Sequence, residues 1–404
     1  MRALMRFGFM AVLMMTAASG GEWDGKVFCG YQGWFRCEGD GAKVGWRHYG
    51  EGSPPSSPKI GIEIWPDVSE LRENETYPTL LTHDDGRVAK VFSSVDRQTV
   101  MRHFEWMRDY GIDGAFLQRF ATETRDDAFR VSLDSVLENV SKSSSATGRQ
   151  WALMYDTSGL EPGQFEVLEK DLARLESDGL LAVSGANYVK HCNKPLVATW
   201  GLGFNDRKVD FDEWEKWIRH LHGKGYAVML GVPYYWRSLD RDCLPDPRLH
   251  EVMALADVVS PWAVGRFATA DDARRLGEEV MAGDVEWCRE RGITYLPVAF
   301  PGFSWHNLMK TRGIEAEFDE IPRRGGRFLW AQAIAQKMAG AKSVYVAMFD
   351  EMDEGTAVFK FTNDAPSGAP FLKEEGVPGD RYLKVCGAIG EWLRDERGDG
   401  WPDL

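Results

Sequence analysis

The sequence predicts an α/β fold, most economically a (β/α)8 TIM barrel with long loops at the C-terminal face of the strands. Three observations lead there: short apolar runs alternate with amphipathic segments along almost the whole chain, no linker divides it, and polar or aromatic residues recur where the apolar runs stop. Sustained alternation marks parallel strands joined by crossover helices, and about eight repeats suffice to close a barrel. An open doubly wound sheet shares the alternation, but no G-x-G-x-x-G turn supports a nucleotide site.

Residues 1–20 read as a secretory signal peptide, with Arg2 and Arg6, the apolar run from Phe7 to Met15, and then Ala17, Ala18, Ser19 and Gly20. Residues 21–404 then form one domain. The expected strands begin with Lys26 to Tyr31, and a Gly/Pro/Ser-rich excursion leads to a second from Ile60 to Trp65. Val100, Phe104 and Met107 recur at helical spacing in Thr99 to Tyr110, and Gly114 to Phe120 follows as a strand. The beat continues with helix Asp126 to Val140, strand Trp151 to Tyr155, helix Pro162 to Glu176, strand Pro195 to Trp200 and helix Phe211 to His222. Strands Ala227 to Val232 and Asp257 to Ser260 precede a helix from Asp271 to Arg289. Strand Thr294 to Ala299, a lid-like loop from Gly302 to Gly326, helix Phe328 to Met338, strand Ser343 to Phe349 and helix Tyr382 to Arg394 complete the pattern.

Composition narrows the function. The chain has 404 residues, 44% of them hydrophobic, enough for a large core. Its net charge of -14 and the lack of a basic block beyond Arg323-Arg324 exclude a phosphate-backbone binder, so no nucleic-acid partner is expected. No segment after the leader is long and apolar enough to insert into a membrane. Cys29, Cys37, Cys192, Cys243, Cys288 and Cys386 form no metal-ligand spacing, so neither a metal nor another cofactor is expected. Cys29 and Cys37 are placed to pair across a short loop in an oxidising compartment, while Cys288 and Cys386 fall in helical patterns as buried thiols.

Chemistry concentrates in Met348-Phe349-Asp350-Glu351-Met352-Asp353-Glu354-Gly355-Thr356, where four acids crowd five positions behind the apolar run Ser343 to Ala347. Burying such a cluster is costly unless it faces a polar cavity. Glu351 and Glu354 converge only if the chain bends straight after the strand, and Gly355 permits that turn. Converging carboxyls split into an acid and a base because repulsion and unequal burial separate their pKa values. The four acids lack the spaced oxygen ligands of a calcium loop.

Barrel chemistry sits at the carboxyl ends of the strands. The residues expected there are Tyr31 and Trp34, Glu63 and Trp65, Gln118 and Arg119, then Asp156 and Trp200. Further along come Tyr234 and Tyr235, Trp262, and Trp305 and His306 on the lid. Aromatic faces around acids suit a sugar, with flat rings for its C–H groups and carboxylates for its hydroxyls. A carbohydrate is therefore the expected partner.

The run Asp350-Glu351-Met352-Asp353-Glu354-Gly355-Thr356 resembles the Asn-Glu-Trp-x-Glu-Gly-Thr signature of glycoside hydrolase family 99, the endo-α-1,2-mannosidases and mannanases, and of the related family 71. The likeness extends to Tyr31 and Trp34, Trp46 and His48, Ser93 to Asp96, His103 to Met107, and Gly111 to Gly114. It implies a secreted retaining glycosidase acting on a poly- or oligosaccharide, an α-mannoside first. Glu351 would match the base that assists attack by the substrate's own 2-hydroxyl to give a 1,2-anhydro sugar, and Glu354 the acid that protonates the leaving oxygen. Asp350, Met352 and Asp353 depart from the signature at positions that shape the sugar subsites. The alternatives are the same barrel acting on an α-glucan, xyloside or arabinoside, and a non-catalytic carbohydrate-binding protein.

Overall fold

A computed structural model describes residues 22–404, apart from positions 51 and 58, so the expected leader lies outside the described residues. Its strands are β1 (Val27–Tyr31), β2 (Tyr77–Thr82), β3 (Val88–Val91), β4 (Gly114–Phe120), β5 (Gln150–Asp156) and β6 (Lys190–His191). They continue with β7 (Lys194–Trp200), β8 (Ala227–Pro233), β9 (Val258–Trp262), β10 (Thr294–Tyr295), β11 (Val298–Ala299) and β12 (Val344–Val346). The main sheet runs β10-β9-β8-β7-β5-β4-β1-β12-β11, with parallel pairing at every step.

Its two ends are halves of one strand. Pro297 interrupts the run between β10 and β11, yet Leu296 N–H donates to the Val259 carbonyl and Tyr345 N–H to that of Pro297, both at 2.9 Å. The strand therefore keeps its neighbours on both sides, and eight strands make a (β/α)8 barrel. Proline is tolerated because only its missing donor is lost, while its carbonyl still accepts.

The crossover helices are α1 (Arg97–Asp109), α2 (Asp127–Thr147), α3 (Glu166–Ser177), α4 (Phe211–Gly223), α5 (Arg248–Met253), α6 (Ala270–Leu276) and α7 (Ala282–Glu290). A short α8 (His306–Thr311) lies on the lid, and α9 (Arg327–Met338) and α10 (Arg381–Leu393) follow. Side chains start several of them: Asp126 accepts from Ala128 and Phe129 N–H, and Asp210 from Asp212 and Glu213 N–H. The long helix expected from Asp271 to Arg289 is divided by a π-turn at Gly277–Met281, where Gly277 lies 3.2 Å, as measured from a Cβ built on it, from the Ala335 side chain of α9.

Two expectations about the first hundred residues fail. Ile60 to Trp65 forms no strand; it crosses the barrel mouth, with Glu63 N–H on the Met352 carbonyl at 2.8 Å and Leu372 N–H on the Glu63 carbonyl at 2.7 Å. The β-structure there is instead the antiparallel pair β2 and β3, outside the barrel. The Cys29–Cys37 bridge is also absent. All six cysteines are free thiols, and the Cys37 Sγ lies 3.3 Å from the Phe92 carbonyl while Cys29 sits beside Cys386. Among the described residues no helix is long and apolar enough to cross a membrane.

Candidate active site

Alternation along the strands decides what reaches the mouth, because successive side chains point to opposite faces. On β4 the Arg119 guanidinium meets Asp171 of α3 at 2.6 and 2.8 Å, so Arg119 faces the helices and its neighbour Gln118 faces the barrel interior. On β5 Tyr155 donates to the same Asp171 at 2.9 Å, which leaves Asp156 inside. On β7 Thr199 accepts from Trp217 of α4, which leaves Trp200 inside. Gly231 of β8 pairs with Trp200 and makes room for its ring, since a Cβ there would lie 2.3 Å from the indole. Trp262 of β9 crosses Trp200 edge-on at a centroid distance of 5.6 Å.

The acid-bearing turn follows β12. Phe349 N–H donates to the Gly30 carbonyl at 2.7 Å, and the chain then folds back so that Thr356 and Ala357 N–H both reach the Glu351 carbonyl. Gly355 adopts φ +67°, and a Cβ on it would lie 2.9 Å from Leu372, so the bend requires glycine. Arg323 braces the turn from the lid, donating to the Gly355 carbonyl at 2.7 Å and the Ala357 carbonyl at 2.8 Å. Glu351 and Glu354 thus share one turn.

Their electrostatics follow from crowding. Glu351 is buried, and burial, then the Glu354 charge, then Asp353, push its pKa well above the carboxylate range, against a 3.0 Å bond from Gln32 Nε2. Glu354 is half-buried, and burial followed by Asp353 raises it to about 7, with Arg312 pulling the other way. Asp350 accepts from Gln32 N–H at 2.7 Å and Gly33 N–H at 2.8 Å, yet burial still lifts it to about 7. Asp353 meets His48 Nδ1 at 2.9 Å, and the His48 ring stacks on Trp34 at 3.9 Å and 9°. In the barrel interior and mouth, Gln32 Oε1, Gln118 Oε1, Trp34 Nε1, Trp200 Nε1 and Asp353 Oδ1 are buried without a hydrogen-bond partner among the described residues, whereas Tyr234 lies away from the cluster, against Phe267 and near Asp284 of α7. Groups of that kind are costly unless something at the site satisfies them.

Several expected contacts lie elsewhere. Tyr31 points outward and bonds His103 of α1 at 2.9 Å, and Arg119 belongs to the ion-pair network of α2 and α3. Trp46 and Trp65 are core, against Tyr49 and Phe371. Asp350 ties the turn after β12 to the turn after β1, each oxygen accepting one backbone N–H. Glu63 is fully buried behind the site: Oε2 accepts from Ser304 Oγ at 2.6 Å, and Oε1 from Asn307 N–H. Ser304 N–H in turn reaches the Glu354 carbonyl at 3.0 Å, so Glu63 joins the lid to the acid-bearing turn. Burial raises Glu63 to about 7 despite those donors. Trp305 packs on Phe303, and His306 Nδ1 contacts the Ala316 carbonyl within the lid. Gln32 and Arg323 were missed. Gln32 directly follows β1 and was open to the strand-end rule, whereas the role of Arg323 has no sequence signal.

Comparison with solved structures agrees with this architecture. A GH99 endo-α-mannosidase from Bacteroides thetaiotaomicron superposes with a TM-score of 0.65 over 92% of this chain and 98% of its own, at 12% identity. The same organism's GH99 endo-α-mannosidase in complex with bis-tris-propane gives 0.64 over 93% and 98%, at 13% identity. No protein-family profile and no curated protein sequence matches the chain.

Proposed function

We propose that this protein is a glycoside hydrolase with Glu351 and Glu354 as its reacting pair. The observation that carries the reading is the single turn at the end of the eighth strand that holds a buried and a half-buried carboxyl in repulsion, beside the partnerless Gln32 Oε1 and Asp353 Oδ1 and the stacked rings of His48 and Trp34. A pair that repels this strongly retains a proton near neutrality, which proton transfer to a glycosidic oxygen needs. A merely sugar-binding cleft has no use for that proton, so the turn favours an enzyme over a binding protein. The fold it shares with endo-α-mannosidases makes an α-mannoside the first substrate to try, with other glycans on the same barrel as rivals.

The proposed chemistry is retaining. As the glycosidic bond breaks, Glu354 gives its proton to the departing oxygen while the substrate's 2-hydroxyl attacks the anomeric carbon and yields its proton to Glu351. Water, deprotonated by Glu354, then opens the 1,2-anhydro sugar and Glu351 returns the proton to O2. The Gln32 amide bond favours the carboxylate form of Glu351. One observation favours the opposite assignment: Glu351 is the more deeply buried of the two, and burial favours the protonated form. Leaving-group dependence separates the two, because only the acid's variant is rescued by a leaving group that needs no proton.

Export is part of the proposal and rests on Arg2, Arg6 and the apolar run behind them. The deciding experiment screens the purified protein and its Glu351→Gln variant against α-mannans, α-glucans and plant or algal polysaccharides by product chromatography. Release by the wild type alone is expected. Binding by both with release by neither would replace the enzyme with a carbohydrate-binding protein.

A further inference from the structure

One flank of the cleft runs against the charge of the molecule. Beside the reacting turn lies a cavity of about 620 Å3, bounded by His48, Lys59, Leu308, Lys310, Thr311 and Arg312. That volume falls within the roughly 300–1,000 Å3 of small-ligand sites. Acids outnumber bases 62 to 48 in this chain, yet three bases and no carboxylate line the cavity among the described residues. Elsewhere surface lysines are commonly paired, as Lys142 is with Glu138 and Lys170 with Glu166. Lys59, Lys310 and Arg312 are exposed and have no ion-pair partner among the described residues.

The cavity adjoins the chemistry. His48 lines it and bonds Asp353, and Arg312 stands close enough for its charge to act on Glu354. Four carboxyl groups from Asp350 to Glu354 would repel a negatively charged ligand unless cations faced its charge. Lysine and arginine side chains that converge without acids are suited to a carboxylate or sulfate group.

We propose that this cavity is a flanking subsite for a sugar residue carrying an anionic substituent, a uronate carboxylate or a sulfate ester, next to the residue cleaved between Glu351 and Glu354. The proposal rests on the glycosidase reading of that turn and names its substrate class. The surrounding cations hold the charged group away from the acids, and binding weakens as salt screens them.

The test pairs charged glycans with neutral parents: sulfated α-mannan with unsulfated α-mannan, and a uronate-containing oligosaccharide with its carboxyl-reduced form. Binding is read by calorimetry at low and high salt, and hydrolysis by product release from the same samples. At least one charged member should bind tenfold or more tightly than its parent at low salt. Lys59→Ala/Lys310→Ala should remove most of that preference, and the pair that shows it tells sulfate from carboxylate. Equal binding within both pairs, or a preference untouched by the double variant, overturns the subsite; hydrolysis of a neutral parent would then leave the glycosidase reading standing. A charge preference lost in the double variant, with no glycan cleaved, would support the subsite and overturn the glycosidase reading. Both lysines are exposed, and the circular dichroism of the double variant should match the wild type.

Discussion

On the helix side of the barrel, Arg119 and Arg174 meet Asp171 and Asp134, with Tyr155 donating to the same Asp171. At the mouth, Asp350, Glu351, Asp353 and Glu354 meet one another, with His48, Gln32 and backbone N–H groups as their direct polar contacts. Both clusters are buried, yet they titrate in opposite directions. Burial works against the Asp171 carboxylate, but the Arg119 bonds outweigh it and hold its pKa below the usual range. Burial works against Glu351 too, and its acidic neighbours add to the push. Buried charge whose partners neutralise it holds helices to a sheet, whereas a buried carboxyl whose neighbours repel it keeps its proton to a higher pH.

The hardest test of that contrast is catalytic. Glu351→Gln is expected to lower turnover by about 10²–10⁴-fold with every leaving group, the range for a lost general acid or base. Glu354→Gln should lose as much with poor leaving groups and recover with an activated aryl glycoside. Steady-state kinetics on matched substrates read both, and recovery in the Glu351 variant instead would exchange the roles.

Next in size is Arg119→Leu, which leaves Asp171 with only Arg174 and Tyr155 and should cost about 3 kcal/mol in urea unfolding, the lower end of the range for breaking a buried ion pair. Any folded fraction should keep its turnover number. A variant as stable as the wild type but slower in turnover would erase the distinction between the two clusters.

The pH dependence of stability should carry opposite signs. Asp350, Glu354 and Glu63 are raised to about 7 in the fold, so their contribution is fully present below about pH 4 and is lost as pH climbs through 7. Asp171 is depressed, so its contribution is present above about pH 4 and fades as acid is added. Thermal melts from pH 4 to 8 should show the alkaline loss, and Glu351→Gln should reduce it by removing one repelling carboxyl. A midpoint that rises steadily to pH 8 would contradict the raised values.

The smallest effect is expected at Glu63. A glutamine can still accept from Asn307 N–H while donating to Ser304 Oγ, so Glu63→Gln should cost under about 1 kcal/mol. Glu63→Leu leaves both lid donors without an acceptor and should cost about 1–3 kcal/mol. Chemical denaturation separates the two.

The alternation of strands and helices, the strand from Gly114 to Phe120 and the acid cluster behind an apolar run were all legible in the chain, because each is a local pattern of apolar and polar residues. The face of each strand was not. Barrel strands are buried on both sides, so the alternation that would separate Gln118 from Arg119 is absent from the sequence. The second expected strand misled for a related reason: Ile60, Ile62 and Ile64 are buried, but under the loops of the mouth rather than in the sheet. Tertiary structure alone decided that Tyr31 bonds His103 of α1, that Glu63 joins the lid to the acid-bearing turn and that Arg323 braces Gly355. Those contacts join residues tens to hundreds of positions apart, and no local pattern encodes which distant donor will meet a given carbonyl.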